Sequence, residues 1–402
     1  FESNNKKVTH MTSKAFDIVV YGATGYTGQL IIEYLNQQYG NGNDVTWAIA
    51  GRNKGKLEAV RDSSGLAADT PLVVADFTDE ASMQAMVDSA KTIISTVGPY
   101  QLYGELLISL CAATGTDYVD LCGEPTWMRQ MIDRYNAKAQ ASGARIVFSC
   151  GIDSIPSDMG IYRLQKLAEE KTGHTCKHVE CRVRSMVGGF SGGTAATLKA
   201  SIGAAQADAD VMALAMNHYA LVPGFTGVEQ PAGDQIVYSE ELHSWVTPFI
   251  MAPINTRNIH RSNALLGHYY GEDFTYDEMM LTGDGEQGEA LAQQIASDTS
   301  LLGPDAPKPG EGPNEEELAA GSYDFMYIGR TVDGGKMVVS VKADADPCYG
   351  STSRMISEAA MCLLKDATDT AGGIWTSAPA MGDHLIERLE KNAGLVFTLE
   401  EE

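Results

Sequence analysis

The stretch that decides the fold is Phe16-Asp17-Ile18-Val19-Val20-Tyr21 running directly into Gly22-Ala23-Thr24-Gly25-Tyr26-Thr27-Gly28. Its first half is a short β-branched run that reads as a strand, and residues 25–39 read as an amphipathic helix. Three glycines placed between a strand and a helix have a specific use. Gly22 permits a sharp turn, Gly25 lets a ligand approach the backbone, and Gly28 lets the helix sit close on the strand. Unpaired N–H groups and the positive end of the helix dipole face whatever fills the turn, and a pyrophosphate suits both. A plain tight βα turn would use glycine as well. The strand before, the helix after and the surrounding βαβ unit favour a dinucleotide. Thr24, Tyr26 and Thr27 belong to the same expected site.

Outward from this turn the rhythm repeats. Apolar runs at 45–50, 72–75, 92–96, 117–120 and 145–149 alternate with helical stretches at 54–64, 79–89, 103–114 and 126–142. Runs that are apolar almost end to end fit a parallel sheet covered on both faces, so residues 15–154 are expected to form a doubly wound Rossmann domain of α/β class. Beyond Ile155 the pattern changes. A helix is expected at 155–171 and a strand at 176–187, with Val179, Cys181 and Val183 on one face and His178, Glu180, Arg182 and Arg184 on the other. One long helix is expected at 195–220, strands at 235–242, 324–331 and 336–343, and helices at 352–366 and 383–392. This gives an α+β domain over 155–350 for substrate or oligomerisation, with C-terminal helices (351–395) returning to the Rossmann domain.

The end of the second strand selects the cofactor. NAD enzymes place Asp or Glu there to hold the ribose 2′-OH. Here Gly51-Arg52-Asn53 stands in that place, with Lys54 and Lys56 just beyond. A carboxylate would repel a 2′-phosphate, whereas a guanidinium pairs with it in bidentate fashion. NADP is the expected cofactor. Asp76, after the third strand, falls beside the adenine or caps the following helix. The fourth strand runs into Thr96-Val97-Gly98-Pro99-Tyr100, which should pass the nicotinamide half, because ligands of such sheets bind outside the carboxyl ends of the strands.

Composition limits the function classes. The chain has 402 residues, 44% of them apolar, and a formal net charge of −24. That charge argues against a nucleic-acid surface. Between Glu272 and Ala320 stand thirteen acidic residues and only Lys308 on the basic side, a net −12 that is expected to face solvent, away from the cofactor. Its Pro-, Gly- and Glu-rich part at 303–321 reads as an exposed loop or, more sharply, a lid. No run approaches the ~18 apolar residues of a membrane span. The seven cysteines, at 111, 122, 150, 176, 181, 348 and 362, form no CxxC pair and are expected to be reduced and mostly buried. With a polar stretch at 1–14 in place of a signal sequence, a cytoplasmic protein is expected, with Met11 as a start and the first ten residues as an extension. An exposed sheet edge or face in the second domain points to a homodimer. Cys176, His178 and Cys181 resemble a metal cluster, but strand alternation sets Cys181 opposite His178 and no fourth ligand is near, so no metal is expected.

Hydride transfer belongs to the cofactor; the protein supplies orientation and a proton. Tyr100, Asp120, Glu124, Cys150 and Asp153 all stand at or just after strand ends and are the candidate proton donors. Helix capping competes for each Asp, and Glu124 precedes Pro125 at a helix start. The stretch Gly188-Gly189-Phe190-Ser191-Gly192-Gly193-Thr194 precedes a helix and is either an anion or carbonyl site or an ordinary N-cap with flexible glycines.

Taken together, the motifs resemble the saccharopine dehydrogenase-like superfamily, and more narrowly its trans-acting enoyl reductase branch, some of whose eukaryotic members are lipid-associated. The matching pieces are GATGYTG at 22–28, GR at 51–52, STVGPY at 95–100, DYVDLCGE at 117–124, CGIDSIPSD at 150–158, SGGT at 191–194 and GGIWTSAPAMGDHLIERL at 372–389. They span most of 15–395 and are densest before Gly160. The resemblance implies a Rossmann domain, a smaller mixed-sheet domain, NADP, and hydride transfer to an unsaturated carbon or imine of a small molecule such as an acyl thioester or lipid. Saccharopine-forming members hold a dicarboxylic amino acid with clustered Arg; here only Arg182, Arg184 and Arg257 are available. The sequence carries neither a Ser-Tyr-Lys set nor a carboxylate pair. A catalytically weak or inactive NADP-binding, lipid-associated partner protein therefore stands beside the enzyme as an alternative.

Overall fold

The computed structural model describes residues 14–400 except 41, 43 and 309, so the expected start at Met11 lies outside the described residues. The first six strands are β1 (Phe16–Tyr21), β2 (Trp47–Gly51), β3 (Leu72–Val74), β4 (Ala90–Ser95), β5 (Asp117–Asp120) and β6 (Arg145–Val147). Six more follow: β7 (His178–Val187), β8 (Val237–Ser239), β9 (Ser244–Pro248), β10 (Thr275–Gly283), β11 (Ser322–Arg330) and β12 (Lys336–Ala343). The last two, β13 (Gly373–Trp375) and β14 (Val396–Glu400), come from the C-terminal region.

The first sheet is parallel throughout, in the order β13-β6-β5-β4-β1-β2-β3. Strand alternation sorts its side chains between two helical layers. Ile18, Val20, Trp47 and Ile49 pack with Ile31, Ile32 and Leu35 of the helix Tyr26–Tyr39. Val19, Tyr21, Ala48 and Ala50 pack on the other face with Met83, Met86 and Ile108. Burial on both faces is why these strands are apolar end to end. The turn at Gly22 follows from this order: β1 lies between β2 and β4, at the point where the winding reverses and a crevice opens.

The second sheet is mixed, in the order β14-β12-β11-β7-β10-β9-β8, with β7 and β10 parallel. Val179, Cys181 and Val183 face the core, continuous with the layer under the helix Ile155–Thr172. The opposite face is held by ion pairs: Arg182 with Asp277 at 2.7 Å and Glu180 at 2.7 Å, Arg184 with Glu400, and Arg330 with Glu180 and Glu241. The C-terminal helix Thr352–Lys365 does return to the first sheet, where Tyr34 donates to buried Glu358 at 2.7 Å. The same region also supplies an edge strand to each sheet, β13 to the first and β14 to the second.

Three expectations are corrected. The helix expected at 195–220 is two helices, Gly192–Ala207 and Ala209–Met216, because Asp208 leaves the helical conformation and caps the second through the N–H groups of Asp210 and Val211. The strand expected at 235–242 is the short β8, paired by a turn with β9. The acidic segment 272–320 does not turn away from the glycine turn. Asp277 and Glu278 are buried in β10, and the loop through Glu311 and Pro313 lies against Tyr26 and Gly192. Neutral partners, carbonyl oxygens and a proline ring, make that contact, so the loop's charge need not be desolvated there. Among the described residues no helix is long and apolar enough to cross a membrane, and all seven cysteines are free and buried.

Candidate active site

The glycine turn is fixed by close approach. Gly22 has φ +94°, and a Cβ there would come within 2.5 Å of Thr96 Oγ1 and 2.9 Å of Val97 Cγ2. A Cβ on Gly28 would strike the Gly22 carbonyl and come within 2.8 Å of Ala23 Cα. Gly25 differs: its Cβ would meet only Gly22 O, at 3.3 Å, so its other side is open. The first backbone bond of the helix Tyr26–Tyr39 is Gln29 N–H to Gly25 O at 3.0 Å, which leaves the N–H groups of Tyr26, Thr27 and Gly28 without an intrahelical acceptor. A glycine-lined cradle rimmed by N–H donors fits a dinucleotide pyrophosphate. Thr24 lies on its side of the turn, where its carbonyl accepts from Gln29 at 3.4 Å.

Arg52 is exposed at the carboxyl end of β2. Asn53 beside it is engaged as the cap of the helix Lys54–Ser63, its side chain accepting from Lys56 N. Asp76 accepts from the N–H and hydroxyl of Thr78 at 2.9 and 2.8 Å; those bonds, and then the Arg52 charge, hold its carboxyl below the usual range. Arg52 is thus the side chain of the three left turned outward at the strand end.

Above the turn, between the two sheets, lies a cavity of about 390 Å³. Its floor comes from the first sheet's carboxyl ends: Thr27, Thr96, Gly98, Tyr100, Gly123 and Asp153. Its roof includes Phe190, Ser191, Gly193 and Thr194 of the stretch singled out in the sequence, with Cys348, and residues the sequence did not single out, among them Leu198, Ile250, Met251 and Thr352. One signal for the roof was present. Thr194, Thr197, Leu198, Ser201 and Ala205 recur every three or four positions, so they share one face of the helix Gly192–Ala207, and all line the cavity. Among the described residues the lining is mainly apolar, includes no Lys, Arg or His, and has Asp153 as its one carboxyl.

The five candidate donors separate by their surroundings. Asp120 is fully buried and accepts from Tyr118 OH (2.9 Å), Cys122 N (3.0 Å) and Ser149 N (2.9 Å). Burial pushes it up to about 7, but it does not line the cavity. Glu124 is equally enclosed, accepting from the N–H groups of Tyr100 (2.6 Å) and Gln101 (2.9 Å), so it secures the loop after Pro99. The Tyr100 ring lines the cavity, yet its hydroxyl donates to Ser95 O at 3.0 Å and accepts from Leu121 N at 3.1 Å. The Cys150 thiol is buried against Val147 O. Asp153 is the exception. Its Oδ1 has no hydrogen-bond partner, it keeps some surface toward the cavity, and desolvation alone raises its carboxyl to about 7.

The roof is tied to the turn. Tyr26 donates to Pro313 O, and its ring meets Tyr349 edge-on at 5.1 Å. Tyr349 OH accepts from Ser191 N–H and lies 2.9 Å from Thr194 Oγ1. The arginines noted in the sequence are elsewhere: Arg182 and Arg184 in ion pairs on the second sheet, Arg257 bonded to Ala215 O and Thr256 Oγ1.

A nucleotide cradle at the switch point of a doubly wound sheet, with an apolar cavity above it, defines an NADP-binding oxidoreductase. Residues 18–147 match the model of the saccharopine dehydrogenase NADP binding domain. A Mycobacterium tuberculosis protein named as a trans-acting enoyl reductase is 39% identical over 406 residues, covering 94% of this chain and 96% of its own. A Mycobacterium bovis trans-acting enoyl reductase is 35% identical over 414 residues, covering 96% and 97%. The chain belongs to this trans-acting enoyl reductase family of saccharopine dehydrogenase-like proteins. Its fold is shared with apo saccharopine dehydrogenase (L-Glu forming) of Saccharomyces cerevisiae, at TM-score 0.53 and 12% identity over 96% of this chain and 99% of that one. It is also shared with the NAD complex of homospermidine synthase from Legionella pneumophila, at TM-score 0.54 and 10% identity over 96% and 92%.

Proposed function

We propose that this protein reduces the carbon–carbon double bond of an enoyl thioester with NADPH, using Asp153 as the proton donor. The observation that carries the reading is the cavity lining: apolar walls, one unpartnered carboxyl and no cation. A dicarboxylic amino acid would need a cation for each carboxylate it buries, and this cavity offers none. An acyl chain needs only apolar surface. The name this protein's relatives carry, trans-acting enoyl reductase, agrees with that choice.

Gly22, Gly25 and Gly28 with the first-turn N–H groups would hold the pyrophosphate, and Arg52 the 2′-phosphate. Thr96, Val97, Gly98 and Pro99 would flank the nicotinamide half. When bound, NADPH supplies the hydride, which adds to C3 of the enoyl group. Asp153, which burial raises to about 7 and so leaves protonated in about half of the molecules at neutral pH, gives its proton to C2. The double bond becomes a saturated CH₂–CH₂ unit, and the Asp153 carboxylate regains a proton from water. The remaining cavity wall keeps water from the reacting carbons.

The test is NADPH oxidation with trans-2-enoyl thioesters of increasing chain length, set against cyclic imines and 2-oxo acids with ammonia. Turnover of the enoyl thioesters alone is expected. Turnover of imines alone would transfer the reaction class, and tight NADPH binding with no turnover by any acceptor would favour the inactive, partner-protein alternative.

A further inference from the structure

Hydride addition to an enoyl thioester drives negative charge onto the thioester carbonyl oxygen, so a reductase gains most from donors placed where that charge develops. Asp153 cannot meet this need while it serves the carbon. The hydroxyls of Thr194 and Tyr349, which line the same cavity, can, and a count of the protons there shows why. Ser191 N–H donates to Tyr349 OH. Thr194 Oγ1 and Tyr349 OH are 2.9 Å apart and share one hydrogen bond, in which either is the donor. The Ser191 hydroxyl is a further partner of Tyr349 and belongs to the same lining. Three hydroxyl protons serve the two bonds among these oxygens, so one O–H remains unclaimed among three residues that line the cavity.

The surroundings keep that proton in place. Tyr349 is buried, which pushes its phenol up to about 12 and leaves it protonated throughout the working range. Its ring is wedged edge-on against Tyr26 of the cofactor turn. Thr194 stands in the first turn of the helix Gly192–Ala207, where the N–H of Gly192 is taken by Glu311 O while those of Gly193 and Thr194 have no intrahelical acceptor. Asp153 lines the same cavity; its Oδ1 has no hydrogen-bond partner, and its charge raises the thiol of Cys348, the residue before Tyr349.

We propose that the Thr194–Tyr349 hydroxyl pair, with the helix start behind it, is the binding site for the substrate's thioester carbonyl oxygen. The site rests on the enoyl-reduction reading and adds the group that orients and polarises the substrate. The pair and Asp153 then grip the enoyl thioester from two sides, one at the oxygen and one at C2.

The test uses the full chain and the variants Thr194→Val, Tyr349→Phe and their double, with Thr194→Ser as the hydroxyl-retaining control. Each single variant leaves one hydroxyl of the pair and is expected to lose roughly tenfold in kcat. The double leaves neither and should lose roughly 10²–10³-fold, the cost typical of removing an oxyanion donor. Thr194→Ser should recover most of the kcat that Thr194→Val loses, and the Kd for NADPH should not move in any of the variants. In parallel, equilibrium binding compares a saturated acyl-CoA with its thioether analogue, which lacks the carbonyl. Wild type should prefer the thioester and the double variant should not. Unchanged kcat and preference in the double variant overturn the site. A loss confined to NADPH affinity also overturns it, by assigning the hydroxyls to the cofactor. Should wild type reduce no enoyl thioester, the reaction fails as assigned, while the thioester preference and its loss still decide the carbonyl site.

Discussion

The floor and the roof of the cavity are built on different principles. The floor is backbone held by backbone: Gly22 and Gly28 are there because any side chain would collide with Thr96 or the turn itself, and the strands behind them are buried on both faces. The roof is side chain held by few contacts. The helix Gly192–Ala207 buries only Gly192 and Ala195, and Ala209–Met216 buries nothing, with Met216 71% exposed. Segments with few buried contacts open at low free energy. A rigid cradle below and a loosely packed cover above suit the proposed reaction, with a constant cofactor in the one and an acyl chain of variable length under the other.

The comparison breaks most sharply at the glycines. Gly28→Val should prevent folding, because its side chain has nowhere to go, as loss of the cooperative thermal transition would show. Gly25→Val, whose Cβ would meet only Gly22 O, at 3.3 Å, should keep that transition and lose NADPH binding by more than roughly a hundredfold, measured by fluorescence titration. Survival of binding in Gly25→Val would remove the pyrophosphate from the turn.

Next in size is Asp153→Asn, where kcat should fall roughly 10²–10⁴-fold, the usual worth of a positioned acid. The sign of the pH dependence follows from the direction of the shift. Asp153 is raised to about 7, so the active, protonated form prevails below that value, and wild-type kcat/KM should decline as pH rises through it. A flat profile between pH 6 and 8 would count against Asp153.

Arg52→Ala should weaken NADPH by about 1.5–3 kcal/mol, as for hydrogen bonds to a charged group, and leave NADH nearly unchanged. Equal losses for both cofactors would take Arg52 off the 2′-phosphate. The smallest effect is expected at the junction of floor and roof. Tyr26→Phe removes one hydrogen bond to Pro313, worth about 0.5–1.5 kcal/mol, and should speed NADP release by a few-fold in stopped-flow measurements; slower release would show that the loop does not restrain the cofactor.

The same contrast explains what was legible in the sequence. The first sheet, its helices and the turn could be read because each is encoded locally, by apolar runs, helical periods and glycines. The exposed place of Arg52 at the end of β2 could be read in the same way, because the strand before it is encoded locally. The helix Ala252–Leu265 could not. Its sequence, APINTRNIHRSNAL, is polar on all sides, yet almost all of it is buried. Asn255 binds Glu278 at 2.8 Å, Asn258 binds Ser154 at 2.8 Å, and Arg261 reaches the carbonyls of Leu221 and Ile374. Polar burial of this kind is satisfied by partners far away in sequence, which no local period records. β10 was hidden in the same way, since Asp277 and Glu278 interrupt its apolar pattern and are neutralised by Arg182, Tyr276 and Asn255. The acidic density of that region suggested solvent, but burial depended on the partners. Within the site, proximity to a strand end selected Asp120, Glu124, Cys150 and Asp153 alike. Only the fold separates the three that are enclosed from the one that faces the cavity.

The account turns on where hydrogen from the cofactor goes. Wild-type protein should be given NADPH deuterated at the transferable C4 position together with a trans-2-enoyl thioester, and the product read by mass spectrometry and NMR. The account predicts a saturated thioester with one deuterium at C3 and a solvent-derived proton at C2. Deuterium retained in the cofactor, or recovered on an amine carbon when imines are supplied in its place, would contradict it.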